Sequence, residues 1–236
     1  MSGASSLLLR RPLLAALAAL PLLLAWDASG WDLLLSRMLA SPAGFPLRDH
    51  ALLVQVLHRG GRVAAAVALA AQAVHALLPV LPTRSAAPVR AQRLLWLAMT
   101  LLGWMGVSWL KSKSPSSCPW DLAAFGGAAD YVGHWSAWWR GIADGGPGRC
   151  FPSGHAVAGF AFFSLAFLWR RHRPQLAARF AVAAFVSGSV LGATQVLRGA
   201  HFVSHVMWAA WCCWLLCAVV AALADSRVSA RTPAAA

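Results

Sequence analysis

Long apolar stretches broken by short polar clusters set the pattern of this chain. Stretches suited to helical crossing of a bilayer lie near 12–26, 63–82, 93–110, 153–169, 180–197 and 202–224. A crossing needs about 20 predominantly apolar residues. The pattern therefore predicts an all-α fold, a six-helix transmembrane bundle whose fourth helix is the shortest. Composition agrees, because 59% of the 236 residues are hydrophobic and only 11% charged, too little polar surface to cover a soluble globule. The first stretch has a second reading. Arg10 and Arg11 precede an apolar run ending in the small residues Ala28, Ser29 and Gly30, the layout of a secretory signal peptide. Cleavage there would leave five helices; an uncut anchor fits the charge pattern equally well.

Charge orients the bundle, since Lys and Arg collect on cytoplasmic flanks. With the N-terminus inside, the inner segments hold Arg10, Arg11, Arg84, Arg90, Arg93, Arg170, Arg171, Arg173, Arg179, Arg227 and Arg231, against the single acid Asp225. Both termini are then expected in the cytoplasm. The net charge of +13 follows from this asymmetry and from attraction to anionic lipid, so nucleic acid is not the expected partner. The thirteen Trp residues fall mostly near expected helix ends, where an amphipathic ring suits the interface. No internal repeat is visible, and 1–236 reads as one integral membrane domain. The Pro- and Ala-rich stretch 79–92 reads as an inner turn and 226–236 as a flexible tail. The long segment 111–154, rich in Gly and Trp, is expected to pack as an outer cap over a site.

Three polar clusters interrupt the apolar pattern: KSKSPSSCPWDL at 111–122, GRCFPSGHA at 148–156 and QVLRGAHFVSH at 195–205. The first follows the third helix, the second opens the fourth and the third joins the fifth to the sixth. All three therefore emerge on the outer face and predict one shared site. Lys111, Arg149 and Arg198 supply charge for an anion, and Arg offers a planar fork suited to phosphate oxygens. Ser153 and Gly154 stand at an expected helix start, where free N–H groups favour an oxyanion. His155 and His201 can divide the work of nucleophile and general acid.

Together the clusters resemble the three-part signature of the type 2 phosphatidic acid phosphatase superfamily, six-helix integral membrane lipid phosphatases related to vanadium haloperoxidases. That signature runs Lys, six residues, Arg-Pro; then Pro-Ser-Gly-His; then Ser-Arg, five residues, His, three residues, Asp. Here Lys111 is followed after six residues by Cys118-Pro119, so Cys stands in place of Arg. Pro152-Ser153-Gly154-His155 matches in full, and His201 aligns with the family His. Gln195 stands where the family has Arg, and His205 where it has Asp. Arg198 is positioned to supply the missing guanidinium. The wording CPWDL, GRCFPSGHA and RGAHFVSH looks like that of a bacterial membrane-associated branch, which implies a multi-pass protein of the bacterial inner membrane with a periplasmic site.

The resemblance implies a lipid phosphate as substrate and a double displacement. His201 attacks phosphorus to give a phosphohistidine, while His155 protonates the leaving oxygen and then activates water. Lys111, Arg149, Ser153, Gly154 and Arg198 hold the phosphate, with no metal or other cofactor. His205, or Asp121 from the first cluster, takes the family Asp's task of orienting His201. The same phosphoenzyme serves a phosphotransferase if a lipid hydroxyl arrives instead of water. Two other readings compete. His201 and His205 lie four apart, the spacing of a metal or haem pair, and a non-enzymatic phospholipid-binding relative is the remaining alternative. His50, His58, His75, His134 and His172 read as flank or packing histidines. Finally, Cys118 and Cys150 are the only cysteines outside the expected helices and both flank motif residues. A shared pocket would bring them together in an oxidising compartment, so a Cys118–Cys150 disulfide across the outer loop is expected.

Overall fold

Apolar periodicity resolves into helices throughout. In chain order they are α1 (Gly3–Ser29), α2 (Trp31–Leu39), a π-helical segment (Leu52–Gly60) running directly into α3 (Gly61–Leu77), α4 (Arg90–Lys113), α5 (His134–Arg140), α6 (Val157–Phe160), α7 (Phe163–Trp169), α8 (Pro174–Leu197) and α9 (Val203–Arg231). This computed structural model describes residues 3–41, 43–78 and 87–231. Among the described residues no strand forms, and the only β pairings are isolated bridges. The all-α expectation holds.

Five helices are long and apolar enough to span a bilayer: Arg11–Ser29, Leu52–Leu77, Arg90–Lys113, Pro174–Leu197 and Val203–Ser226. The chain is thus a multi-pass membrane protein. The remaining apolar stretch, expected over 153–169, is helical only over Val157–Trp169 and is shorter than the others. It bends between α6 and α7. Protein surrounds it, since Val157, Phe160, Phe163, Phe167 and Leu168 are all buried and pack against α4, α8 and α9. Two glycines permit that approach: a Cβ on Gly159 would run into the backbone of Gly188, and one on Gly188 into the Phe160 ring.

The second spanning helix departs from expectation. It begins at Leu52, not near 63, and ends at Leu77. The polar run Arg59-Gly60-Gly61-Arg62 hides its first turns from a hydropathy reading, yet the backbone stays helical through both glycines. Similarly, α8 starts at Pro174, a residue whose missing N–H suits the first helical position. Of the expected inner turn at 79–92, residues 79–86 lie outside those described, and α4 begins at Arg90. α9 continues to Arg231, into the stretch expected as a tail, and 232–236 lie outside those described.

Polar groups inside the bundle find partners on neighbouring helices, as a low-dielectric interior requires. The Thr100 hydroxyl lies 3.0 Å from Gln72 Oε1 and 2.6 Å from Ser164 Oγ, tying α3, α4 and α7 together. Trp211 and Trp214 on α9 donate to the carbonyls of Ala16 and Pro12 on α1. Polar contacts then sort to two ends. At one end Arg170 and Arg171 pair with Asp225, His172 meets Gln92 at 3.0 Å, and Arg93 donates to the Pro88 and Leu78 carbonyls. The motif clusters occupy the other end.

At that second end the segment after α4 folds on itself. Buried Asp144 accepts from Ser117 N at 2.6 Å, from Ser117 Oγ at 2.9 Å and from Gly146 N at 3.0 Å. Cys118 and Cys150 form the expected disulfide, with Cα atoms 5.2 Å apart. Trp135 on α5 and Trp208 on α9 both donate to Asp27 Oδ2 near the end of α1, each at 2.8 Å, which fastens the loop to the bundle.

Candidate active site

A cavity of about 680 Å³ opens at the motif end. Its polar walls come from four places: His58 and Arg62 on the second spanning helix, Lys111 on α4, Gly154 and His155 before α6, and Arg198 and His201 between α8 and α9. No carboxylate lines it among the described residues. Deeper along the same helices the lining becomes apolar, with Ala65 and Ala66, Trp104, and Val157 and Ala158.

His201 lines the cavity while only 4% exposed. Its Nδ1 faces away from open space, 3.4 Å from His205 Nδ1 and 3.5 Å from the Cys150 sulfur. That leaves Nε2 as the ring nitrogen available to the cavity. Burial, reinforced by the Lys111 charge, pushes the His201 imidazole well below the ordinary histidine range, so it is neutral at physiological pH. His205 is buried behind it and does not line the cavity. Neutral imidazoles can donate at one nitrogen and accept at the other. A proton on His201 Nδ1, donated to His205 Nδ1, leaves the His201 Nε2 lone pair free.

His155 stands opposite, with Nε2 3.4 Å from the Leu57 carbonyl and its ring stacked on His58 at a centroid distance of 4.3 Å. Burial first, then the neighbouring His58, lowers its pKa to about 4. Arg198 is fixed on three sides. Its Nε donates to the Arg48 carbonyl at 2.7 Å, Nη1 donates to Gln195 Oε1 at 3.2 Å, and the guanidinium lies 5.9 Å over the Trp120 ring. Lys111 runs beside Gly154, where a Cβ would stand in ordinary contact, 3.5 Å from Lys111 Cδ.

The structure brings together Lys111, Gly154, His155, Arg198 and His201, with His205 behind. Three expected residues take other positions. Arg149 is exposed and outside the lining, its N–H bound to the Ser114 carbonyl at 2.7 Å. Ser153 is fully buried; its N–H donates to the His205 carbonyl at 3.0 Å and is not free for an oxyanion. The helix itself starts four residues later, at Val157. Asp121 turns its carboxylate to Trp120 Nε1 at 3.1 Å and Cys118 N at 3.3 Å, bracing the loop with no hydrogen bond to His201.

His58 and Arg62 went unrecognised in the sequence because the helix carrying them was expected to start after them. The available signal was their spacing of four, one turn of a continuing helix. Cys118, Cys150 and His201 cluster within 4.8 Å, but the two sulfurs are bonded to each other and offer no thiolate.

Three cations, three imidazoles and no acid around one cavity can hold a phosphate and move protons about it. No curated protein and no solved structure matches the chain significantly. A family model does: that of the PAP2 superfamily matches residues 91–228, from the start of α4 through α9, and the chain belongs to that superfamily.

Proposed function

We propose that the chain is a metal-independent lipid phosphatase of the bacterial inner membrane, working through a phosphohistidine at the periplasmic face. Membership of the superfamily brings phosphatase or phosphotransferase chemistry. The observation that carries the finer reading is His201, buried and neutral, with Nδ1 backed by His205 and Nε2 left to a cavity lined by Lys111 and Arg198. The cavity's polar mouth and apolar depth suit a phosphate carried on a lipid.

In this reading the chain is one domain of six crossings, with Val157–Trp169 as the protein-enclosed fourth, both termini cytoplasmic and the loop after α4 capping the site. Lys111 and Arg198 hold the phosphoryl oxygens. The His201 Nε2 lone pair attacks phosphorus as the bond to the lipid oxygen breaks, and His155, held in its protonated form by the negative charge of the bound phosphate, gives that oxygen its proton. Positive charge arising on His201 is shared through Nδ1–H with His205. Neutral His155 then takes a proton from water, whose oxygen attacks phosphorus and returns His201 to its neutral form. A lipid hydroxyl entering at that step gives a phosphotransferase with the same residues.

Purified protein in detergent, given a panel of lipid phosphates and diphosphates with EDTA present, tests this. Phosphate release is expected in wild type and should fall by at least about 10³-fold in His201→Ala, as for loss of a covalent nucleophile. A radiolabelled phosphoryl group should trap on His201 after denaturing quench. Full activity in His201→Ala overturns the mechanism, and strict dependence on a divalent ion overturns its metal-free form.

A further inference from the structure

Helix Leu52–Leu77 reaches the site with two polar side chains one turn apart, and neither has an evident structural task. Arg62 is exposed, lines the cavity, and makes no hydrogen bond or ion pair among the described residues. His58 stacks on His155 and lies 2.9 Å from Gln195 Nε2. The direction of that contact follows from its neighbour. Arg198 can only donate, so the Gln195 oxygen faces it at 3.2 Å. The Gln195 amide nitrogen, a donor, therefore meets His58 Nδ1, which must accept. The proton of His58 is thereby placed on Nε2. His155 Nε2 in turn lies within reach of the carbonyl of Leu57, the residue before His58.

One helix thus touches the candidate acid from two sides while holding a cation over the same cavity. Close approach makes this possible: a Cβ on Gly61 would run into Leu191 of α8 and stand 3.8 Å from His155 Nε2. The π-helical backbone that ends at Gly60 sets the rotation at which His58 leaves the helix, and π-helical turns recur at functional sites.

We propose that the second spanning helix completes the active site, with Arg62 as a phosphate-binding residue and His58, its tautomer fixed by Gln195, as the residue that positions His155. The inference rests on the phosphatase reading above. Arg62 contributes a third cation beside Lys111 and Arg198, and its flexible, unpaired side chain can close on a phosphoryl group after entry. His58 works through His155: the stacked ring and the Leu57 carbonyl together define where His155 Nε2 stands. The charged and titratable groups around His155 are His58, Arg62, Arg198 and His201.

Two measurements separate this inference from the reading beneath it. In the first, inorganic phosphate and vanadate binding is followed calorimetrically on detergent-solubilised wild type, Arg62→Gln and Arg62→Lys, a readout independent of turnover. Binding to wild type, weakened about 10-fold or more in Arg62→Gln and partly restored in Arg62→Lys, is expected for one lost charge-assisted contact. Equal binding by wild type and Arg62→Gln overturns the role of Arg62 while leaving the phosphatase reading intact; no binding by wild type overturns both. In the second, kcat/KM is followed against pH for wild type, His58→Ala and His58→Asn. His58→Ala should lower kcat with little change in KM and move the basic limb, where His155 must still hold its proton, upward by about half a unit or more as a neighbouring ring is lost. His58→Asn keeps a planar polar group and should shift the limb less. An unmoved limb with kcat within about twofold of wild type overturns the positioning role. Wild-type-like melting temperature and a monodisperse elution profile in detergent show that each variant is folded.

Discussion

Gln195 acquires a purpose in the structure that it lacks in the sequence. Where the superfamily signature carries Arg, its amide links Arg198 to His58, so a lost cation becomes a bracket between two groups of the site. Arg198→Ala removes a guanidinium from the cavity, whereas Gln195→Ala only loosens one. We expect kcat/KM to fall by about 10–100-fold in the former, the range for one charge-assisted contact, and by a smaller factor in the latter. Equal small losses would show that Arg198 does not hold phosphate. Histidines bring a pH dependence at the same scale. His155 titrates near 6.5 when unfolded and at about 4 when folded, so between those values the unfolded chain binds more protons. Stability contributed by the neutral ring is complete above pH 6.5 and is lost as pH falls toward 4. Melting temperatures from pH 7.5 to 4.5 should therefore drop, and drop less in His155→Ala; identical slopes would place the acid sensitivity elsewhere. Most of these residues were legible because each sits in a motif of fixed spacing. Arg149 and Ser153 share that wording, yet chain geometry turns one to solvent and engages the other's N–H with α9.

Elements were legible where hydropathy is continuous and obscured where function interrupts it. α4 lies close to its expected range and α9 starts close to where it was expected, because their polar residues stand at the ends. The second helix was cut short in the sequence by Arg59 and Arg62, of which Arg62 lines the cavity. Loop structure was legible through cysteine arithmetic: two outer cysteines beside motif residues gave the bridge that the structure contains. Tethering Cys118 to Cys150 constrains a loop of sequence separation 32 and in the chain-entropy account stabilises the folded state by about 3–4 kcal/mol. It also holds the Cys150 sulfur beside His201 Nδ1. A Cys118→Ser, Cys150→Ser double variant should therefore melt several degrees lower and lose activity at temperatures where it remains folded. Unchanged melting under reductant, with free thiols confirmed by alkylation, would remove the stabilising role.

At the scale of the whole molecule the short helix decides the topology. At 1.5 Å per residue, Val157–Trp169 covers about 20 Å, less than the hydrocarbon thickness of about 30 Å. A lipid-facing helix of that length would leave backbone polar groups in hydrocarbon. This one is wrapped by α4, α8 and α9, so protein takes the place of lipid around it and the length rule does not bind. Its two ends also lie at opposite ends of the bundle: Gly154 and His155 precede it at the cavity, while Arg170 and Arg171 follow it to Asp225, which stands beyond the apolar part of α9. In the proposed topology this passage, which leaves the site and arrives among the Arg-rich contacts, counts as a sixth crossing, and an even count would put both termini on one side. Single-cysteine labelling tests this directly, because the native cysteines are either bridged or lie within the membrane-spanning α9. Trp139 on α5 is 80% exposed, and Gln175 at the start of α8 is exposed as well. With a membrane-impermeant maleimide on intact spheroplasts, Trp139→Cys should label at once and Gln175→Cys only after permeabilisation. Labelling of both without permeabilisation would mean that Val157–Trp169 does not cross, whereas the reverse pattern would keep the crossing and invert the protein, placing the active site in the cytoplasm.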